Sequence, residues 1–324
     1  MNTDRPLAAA LAGVACISGS AVLMKLAGTS ASVTALGRCA LALPVLGVLL
    51  VYERRRGVPP LSTRARWLAR LSGLFLAADL IVWSHSISAI GAGLGTVVPS
   101  LQVLFVSLLA WLIAGERPHR SLLFASPVML AGLALVGGLT GARAYGAHPA
   151  LGVAEGVAVA VLYSIFIFLL RQAASCGQTP SPVATLYEAT LGAAVVSVLL
   201  GLALGDFRSG PTWAGLGWLL LLALTSQVLG WLLITVSMPK LPAWVIGALL
   251  LVQPAGSVTL GYLVLSERPT VSQLGGVVMM MAGVLLAVGQ RTAQDKDHAP
   301  GARGVQGEVV VEVAVPGGDR EPAG

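Results

Sequence analysis

The chain has 324 residues, of which 56% are hydrophobic and only 10% are charged. Soluble domains usually carry charge on about a quarter of their residues, so this composition excludes an ordinary soluble globular protein. The net charge of +6 would suit a nucleic-acid partner, but the arginines lie in short loops between apolar runs, and we therefore expect no nucleic-acid partner.

Apolar runs follow one another along most of the chain. A helix needs about 20 apolar residues to cross the hydrocarbon of a lipid bilayer. Ten runs meet this requirement, at 7–27, 33–52, 71–90, 93–114, 121–140, 150–170, 183–205, 213–237, 243–265 and 271–289. The sequence therefore predicts an all-α integral membrane protein with ten transmembrane helices, numbered here as spans one to ten.

The arginines indicate which loops face the cytoplasm, because Lys and Arg are enriched on that side of a membrane. With the N-terminus inside, the cytoplasmic loop 53–70 carries Arg54, Arg55, Arg56, Arg64, Arg66 and Arg70. The loops on the opposite side carry only Arg143, Arg208 and Arg268. We expect a multi-pass plasma-membrane protein with both termini in the cytoplasm, and a disordered cytoplasmic tail at 291–324, which is polar and rich in Gly and Pro.

One stretch of the chain occurs twice. "GERPHRSLLFASPVMLAGLALVGG" begins at Gly115 and "SERPTVSQLGGVVMMMAGVLLAVG" begins at Ser266. Equivalent residues are 151 positions apart and include Glu116/Glu267, Pro118/Pro269, Met129/Met280 and Gly132/Gly283. Five spans separate the copies, so equivalent helices cross the membrane in opposite directions. The sequence predicts two inverted five-helix repeats, at 7–140 and 150–290, an arrangement typical of transporters.

Several of these features resemble the EamA family of the drug/metabolite transporter superfamily: "SGSAVLMK" at 18–25, Arg38 at the start of the second helix, Pro254, and the segment from Glu267 to Gly283. The first half departs from this pattern, because Val103 stands where the spacing expects proline and Pro99 lies one turn earlier. The resemblance implies a ten-helix secondary transporter of small organic metabolites. It also implies that helices five and ten lie at the periphery.

Ionisable residues inside the spans are costly in hydrocarbon and need a partner, water or a route to the interface. Lys25 and Arg38 lie near the ends of their helices, so each either extends to the headgroups or lines a pathway. Asp79 lies mid-span, where its short side chain is protonated, paired with a cation such as Lys25, or in water. His85 either bonds a neighbouring helix or lines the pathway. Glu188 aligns with Arg38 in the repeat, which predicts that the two line opposite mouths.

Uncharged polar and aromatic side chains at similar depth complete the predicted pathway: Gln102, Gln227, Gln253, Tyr163 and Trp231. Amides and aromatic rings suit a small organic solute better than a bare ion. The three cysteines form no metal-binding pair, and no phosphate-binding GxxxxGK[ST] motif occurs. We therefore expect neither a metal nor another cofactor.

Glu116 and Glu267 invite interpretation as a catalytic carboxylate pair. The predicted topology places them at opposite faces of the membrane, which excludes that role. We instead assign a structural role in two helix hairpins, with Pro118 and Pro269 in the first turn of the following helix and the carboxylate near its positive end.

The function predicted from these features is secondary transport by alternating access, in the export direction, of a small organic metabolite. The alternative is an integral-membrane enzyme acting on a lipid-linked substrate. Such an enzyme should gather acidic groups and histidine near one interface, whereas here these residues are scattered over both leaflets, and we predict no catalytic residues. The sequence leaves open whether the protein is a monomer or a homodimer.

Overall fold

The structure is a computed structural model that describes residues 4–114, 120–138, 145–176, 181–207, 210–237 and 252–297. All regular elements within these ranges are helical. The first half contains α1 (Asp4–Ser18), α2 (Ser20–Ala27), α3 (Ala31–Arg55), α4 (Thr63–Ile90), α5 (Ala92–Val97), α6 (Gln102–Ala114) and α7 (Arg120–Val136). The second half contains α8 (Pro149–Ser175), α9 (Pro182–Leu204), α10 (Trp213–Leu222), α11 (Trp231–Ser237), α12 (Val252–Leu265) and α13 (Val271–Asp297).

Seven helical stretches are long and apolar enough to cross a membrane: Leu7–Ala27, Ala31–Arg55, Thr63–Ile90, Ala92–Leu109, Pro149–Ala174, Pro182–Leu204 and Trp213–Ile234. Three shorter apolar helices, Leu122–Val136, Val252–Leu265 and Val271–Ala287, lie where the fifth, ninth and tenth spans were predicted. One boundary differs from the prediction. The helix of the tenth span continues to Asp297, so residues 291–297 are helical; the rest of the predicted tail lies outside the described residues.

Local sequence explains why these helices begin and end where they do. Ser30, Ser62, Ser181 and Thr212 each precede a helix and accept a hydrogen bond from a backbone N–H three residues on. Such caps satisfy N–H groups that a helix leaves unpaired at its start. At the other end, Gly28 and Gly205 terminate α2 and α9 with φ of 60° and 64°, a left-handed conformation that glycine adopts without steric cost.

Three spans are interrupted near their middle. The first breaks at Gly19 between α1 and α2. The fourth passes through a 3₁₀ turn at Val98–Leu101, which contains Pro99, and the eighth contains a π-helical segment at Ala223–Gly230. Irregular backbone inside a membrane is tolerated where it is buried in protein or lines a cavity. The interruptions therefore point to the interior of the bundle.

The fifth and tenth spans, α7 and α13, pack closely against each other. A Cβ added at Gly132 would lie 2.8 Å from Cγ of Met280, and one added at Gly283 would collide with Cγ of Met129. Gly132 and Met129 are the repeat equivalents of Gly283 and Met280. The glycine of each helix therefore contacts the equivalent methionine of the other helix. A two-fold axis produces reciprocal contacts of this kind.

The two ends of the bundle are distinguished by the ends of α4, which is 28 residues long and about 42 Å at 1.5 Å per residue. At its beginning, Arg70 donates to the carboxylate of Glu188. The residue after its last turn, Gly91, lies against the carboxylate of Glu267. We call these the Glu188 end and the Glu267 end.

Candidate functional site

A cavity of about 70 Å³ lies in the middle of the bundle. Seven spans contribute to its wall: Ile17 and Ser20; Arg38; Leu76, Asp79, Leu80 and Trp83; Thr96, Pro99, Ser100 and Gln102; Val159 and Tyr163; Trp231; and Gln253 and Pro254. The broken first span, the 3₁₀ turn of the fourth, and Trp231 directly after the π-helical segment of the eighth all reach it. No described residue of α7 or α13 lines the cavity, in agreement with the peripheral position expected for these two helices.

The positive charge in the cavity wall belongs to Arg38, which is 3% exposed. Its Nε donates a hydrogen bond of 2.9 Å to Oε1 of Gln227, and Nε2 of Gln227 donates in turn to Oγ1 of Thr190 at 3.1 Å. Gln227 lies in the π-helical segment and is fully buried behind Arg38. This chain orients one edge of the guanidinium and leaves its other N–H groups for the cavity.

The negative charge in the wall belongs to Asp79, in the middle of α4. Its side chain is 4% exposed, and Oδ1 has no hydrogen-bond partner among the described residues. It forms no direct ion pair with Arg38, although both side chains line the same cavity. A buried carboxylate oxygen without a partner is costly, so this group needs water, a proton or a bound cationic group in the cavity.

An aromatic cluster forms another part of the wall. The ring centroids of Tyr163 and Trp231 are 6.3 Å apart, and Phe166 packs behind both of them at 5.7 Å and 5.4 Å. The contact between Phe166 and Trp231 is edge-to-face, at an interplanar angle of 85°. These rings give part of the cavity wall an apolar surface.

Trp83 holds the broken fourth span in place. Pro99 has no backbone N–H, so the carbonyl of Gly95, four residues earlier, loses its helical donor. The indole Nε1 of Trp83 donates to that carbonyl at 3.0 Å. A side chain of the third span thus satisfies the group that Pro99 frees in the fourth. The prediction from sequence included Pro99 but not Trp83; the missing N–H is the signal that a donor was needed.

Six of the predicted pathway residues line the cavity: Arg38, Asp79, Gln102, Tyr163, Trp231 and Gln253. Gln227 does not reach it and acts through Arg38 instead. Lys25, His85 and Glu188 do not line it either.

The reasons differ for these three residues. Lys25 forms an ion pair of 2.9 Å with Glu267, so it does not partner Asp79 as considered above. His85 lies on an exposed face of α4. Glu188 is engaged at one end of the bundle by Nε of Arg70 at 2.7 Å and by Nε of Arg66 at 3.4 Å, and its place at a mouth stays a prediction.

The predicted hairpin role needs correction for one of its two copies. Pro269 precedes Thr270 and so lies before the first turn of α13, which begins at Val271. Glu267 does not contact the start of that helix but accepts hydrogen bonds from the backbone N–H groups of Ala92 and Gly93. It thus links distant parts of the chain, and its structural role stays a prediction. Glu116 and Pro118 lie outside the described residues.

Comparison with known proteins identifies the family. The model of the EamA-like transporter family matches the chain at residues 5–138 and 150–289, nearly the two predicted repeats. The chain belongs to the EamA-like transporter family. It is therefore a multi-pass helical membrane protein of a transporter family, whose setting is the lipid bilayer and whose partner class is a small solute.

The fold has relatives among solved structures, of which 27 chains match. One, titled "Crystal structure of protein", has a TM-score of 0.62 at 16% identity and covers 87% of this chain and 97% of its own. At that identity the likeness concerns the fold alone. No curated protein matches the chain.

Proposed function

We propose that this EamA-like protein moves a small organic solute across the plasma membrane by alternating access, and that the solute binds in the cavity between Arg38 and Asp79. The observation that carries the proposal is that a basic and an acidic side chain, Arg38 and Asp79, line one cavity, and that Oδ1 of Asp79 has no hydrogen-bond partner among the described residues. An acceptor group of the solute contacts the free N–H groups of Arg38, and a donor or cationic group contacts Asp79. Tyr163 and Trp231 pack against its apolar part.

The size of the cavity suits one stage of such a cycle. Ligand pockets commonly enclose about 300–1,000 Å³, whereas this cavity measures about 70 Å³. We interpret the structure as a state in which the site is contracted. Broken helices at the level of the site, as in the first, fourth and eighth spans, provide points at which the halves can move.

Alternating access follows from the inverted repeats that we propose for this chain, with ten spans in two groups of five. The reciprocal contacts of Gly132 with Met280 and of Gly283 with Met129 support this symmetry. The arginine-rich loop 53–70 supports a cytoplasmic location for the Glu188 end and for both termini. The Glu267 end then faces outward, and export is movement from the Glu188 end to the Glu267 end.

The test is transport by the purified protein in proteoliposomes loaded with a mixture of small metabolites, with the solutes that cross identified by mass spectrometry. We expect a restricted set of solutes to move, and Arg38→Gln and Asp79→Asn to lose most of that flux. His85→Gln is the matched control, because it removes a titratable group of the same span that does not line the cavity. Equal flux in all four proteins would contradict the proposed site.

A further inference from the structure

The carboxylate of Glu267 lies in a cradle made by three glycines at the Glu267 end. A Cβ added at Gly91 would lie 2.9 Å from its Oε1, and Cβ atoms added at Gly93 and Gly261 would lie 3.6 Å and 2.6 Å from its Oε2. Ser266 precedes it with φ of 54°, a conformation that side-chain-bearing residues seldom adopt. The carboxylate thus fills the space that side chains at these three positions would occupy.

The same carboxylate is fully satisfied by groups from distant parts of the chain. Oε1 receives Nζ of Lys25 at 2.9 Å and the backbone N–H of Ala92 at 2.7 Å, and Oε2 receives the N–H of Gly93 at 3.1 Å. The backbone N–H of Glu267 donates to the carbonyl of Gly261 at 3.1 Å. With 2% of its surface exposed, Glu267 is buried in the junction between these elements.

The elements that meet at Glu267 are those that form walls of the cavity. The spans of Lys25, Ala92 and Gly261 contribute Ser20, Thr96 and Gln253 to the lining. The side chain of Glu267 therefore links the first, fourth and ninth spans at the Glu267 end, where these spans would have to separate for the cavity to open on that side of the membrane. If one of these spans moved outward, its own hydrogen bonds to Glu267 would break.

We propose that Glu267, seated in the cradle of Gly91, Gly93 and Gly261 and paired with Lys25, is the latch that holds the cavity closed at the Glu267 end. The proposal rests on the function proposed above only for the identification of this cavity as the transport site. It differs from a surface ion pair because two of the donors to Glu267 are backbone N–H groups, which require a hydrogen-bond acceptor. A lysine at position 267 could not replace the carboxylate, because its ammonium group only donates hydrogen bonds.

The experiment measures access to the cavity rather than flux. Ser100→Cys places a thiol in the cavity wall of a chain whose three native cysteines are replaced by alanine. An impermeant thiol reagent is then applied to each side of sealed vesicles separately. Glu267→Gln should raise the labelling rate from the Glu267 end by about tenfold or more, since hydrogen bonds to a charged acceptor are lost.

A second variant tests the cradle without removing the charge. Gly261→Ala keeps Glu267 and Lys25, and alanine favours a helix more than glycine does, but its Cβ would displace the carboxylate. It should raise labelling from the same side. The matched control is Gly275→Ala, in a helix that does not line the cavity, because a Cβ there meets nothing within 4 Å. Its labelling should equal that of the parent. The double exchange of Lys25→Glu with Glu267→Lys should remain as open as Glu267→Gln.

Three results would overturn the latch: unchanged labelling in both Glu267→Gln and Gly261→Ala, an equal rise in Gly275→Ala, or restoration of parental labelling by the charge exchange. If Glu267→Gln fails to reach the membrane, Gly261→Ala against its control decides the matter. Altered labelling in a protein that moves no solute would support the latch and contradict the proposed function, so the two failures are distinguishable.

Discussion

Glu267 at one end of the bundle and Asp79 in the central cavity are both buried carboxylates, with exposures of 2% and 4%. Glu267 is surrounded by donors, namely one lysine and two backbone N–H groups. Asp79 has an oxygen with no partner among the described residues. The same chemical group, at similar burial, is thus fully satisfied in one region and left incomplete in the other.

This difference distinguishes a carboxylate that stabilises the folded bundle from one that can bind a solute or a proton. Removing a carboxylate with all its partners in place leaves those partners unpaired, so the folded protein loses stability. Removing a carboxylate that lacks a partner relieves an unfavourable burial, so stability should change little. Only the second carboxylate has free capacity for a solute or a proton. A change at Glu267 should therefore lower stability more than a change at Asp79 does, whereas a change at Asp79 should lower transport more.

The largest effect on transport should follow from Asp79→Asn, which keeps the shape and removes the charge. We expect flux to fall by more than about tenfold, since the interactions of a charged group contribute about 1.5–3 kcal/mol, with thermal stability equal to or above that of the parent. If transport is coupled to protons, the pH dependence of the remaining flux should disappear. The measurements are flux against pH in proteoliposomes and unfolding in detergent. Parental flux with a parental pH profile would show that Asp79 is only structural.

The complementary change is Glu267→Ala, which should lower the free energy of unfolding by about 3 kcal/mol. Lys25 and the N–H groups of Ala92 and Gly93 all lose their acceptor in this variant. Thermal unfolding monitored by circular dichroism measures the effect. Glu188→Ala is the control, since its more exposed carboxylate pairs with arginines at the other end and should cost less. An equal loss in both variants would remove the distinction between the buried carboxylate of Glu267 and the partly exposed carboxylate of Glu188.

These contrasts also show what could be predicted from the sequence. Depth along an apolar run identified Arg38 and Asp79 as candidates for the pathway. The family model matches the chain twice, at residues 5–138 and 150–289, and the inversion of the two repeats stays a prediction. Partners could not be predicted, because they depend on how the helices pack: Lys25 meets a residue 242 positions away. Depth alone also suggested Glu188 and His85, but which face of a helix lies inside is decided by its neighbours. Glu188 places its carboxylate beside Arg70, and His85 lies exposed.

A smaller effect is expected at the break in the fourth span. Trp83→Phe removes the donor to the carbonyl of Gly95 and should lower the free energy of unfolding by about 1–3 kcal/mol. Adding Pro99→Ala supplies a backbone N–H at the position that a helix would use. The double variant should recover most of the stability but not the flux, because a straightened helix moves Thr96 and Ser100 in the cavity wall.

The controls for this pair are the parent and Pro99→Ala alone, compared in a double-mutant cycle of unfolding free energies and flux. If Pro99→Ala has the same effect on stability with Trp83 and with Phe at position 83, the two residues do not share the carbonyl of Gly95. If the double variant recovers full flux, the break in the span has no role in forming the site.

The smallest effect concerns Asp206, which places a carboxylate on a helix start as Glu267 does, but near the surface. Its Oδ2 accepts from the backbone N–H of Ser32 in the first turn of α3 at 2.9 Å. Burial alone would raise the pKa of Asp206, but the hydrogen bond from the backbone N–H of Ser32 and weaker contributions from neighbouring groups together outweigh it and lower the pKa.

Because the folded pKa lies below the unfolded one, the ionised carboxylate stabilises the fold above about pH 4, and this contribution disappears as the pH falls through the folded pKa. Asp206→Asn should therefore reduce stability at pH 7 by only about 0.3–1 kcal/mol, the usual contribution of an acidic group at an exposed helix start. The difference between the two proteins should vanish at low pH and shrink in high salt, as seen in thermal unfolding. A loss of stability as large as that of Glu267→Ala would contradict this expectation. It would mean that a carboxylate at a helix start stabilises this bundle equally whether or not it is buried and however many donors it has.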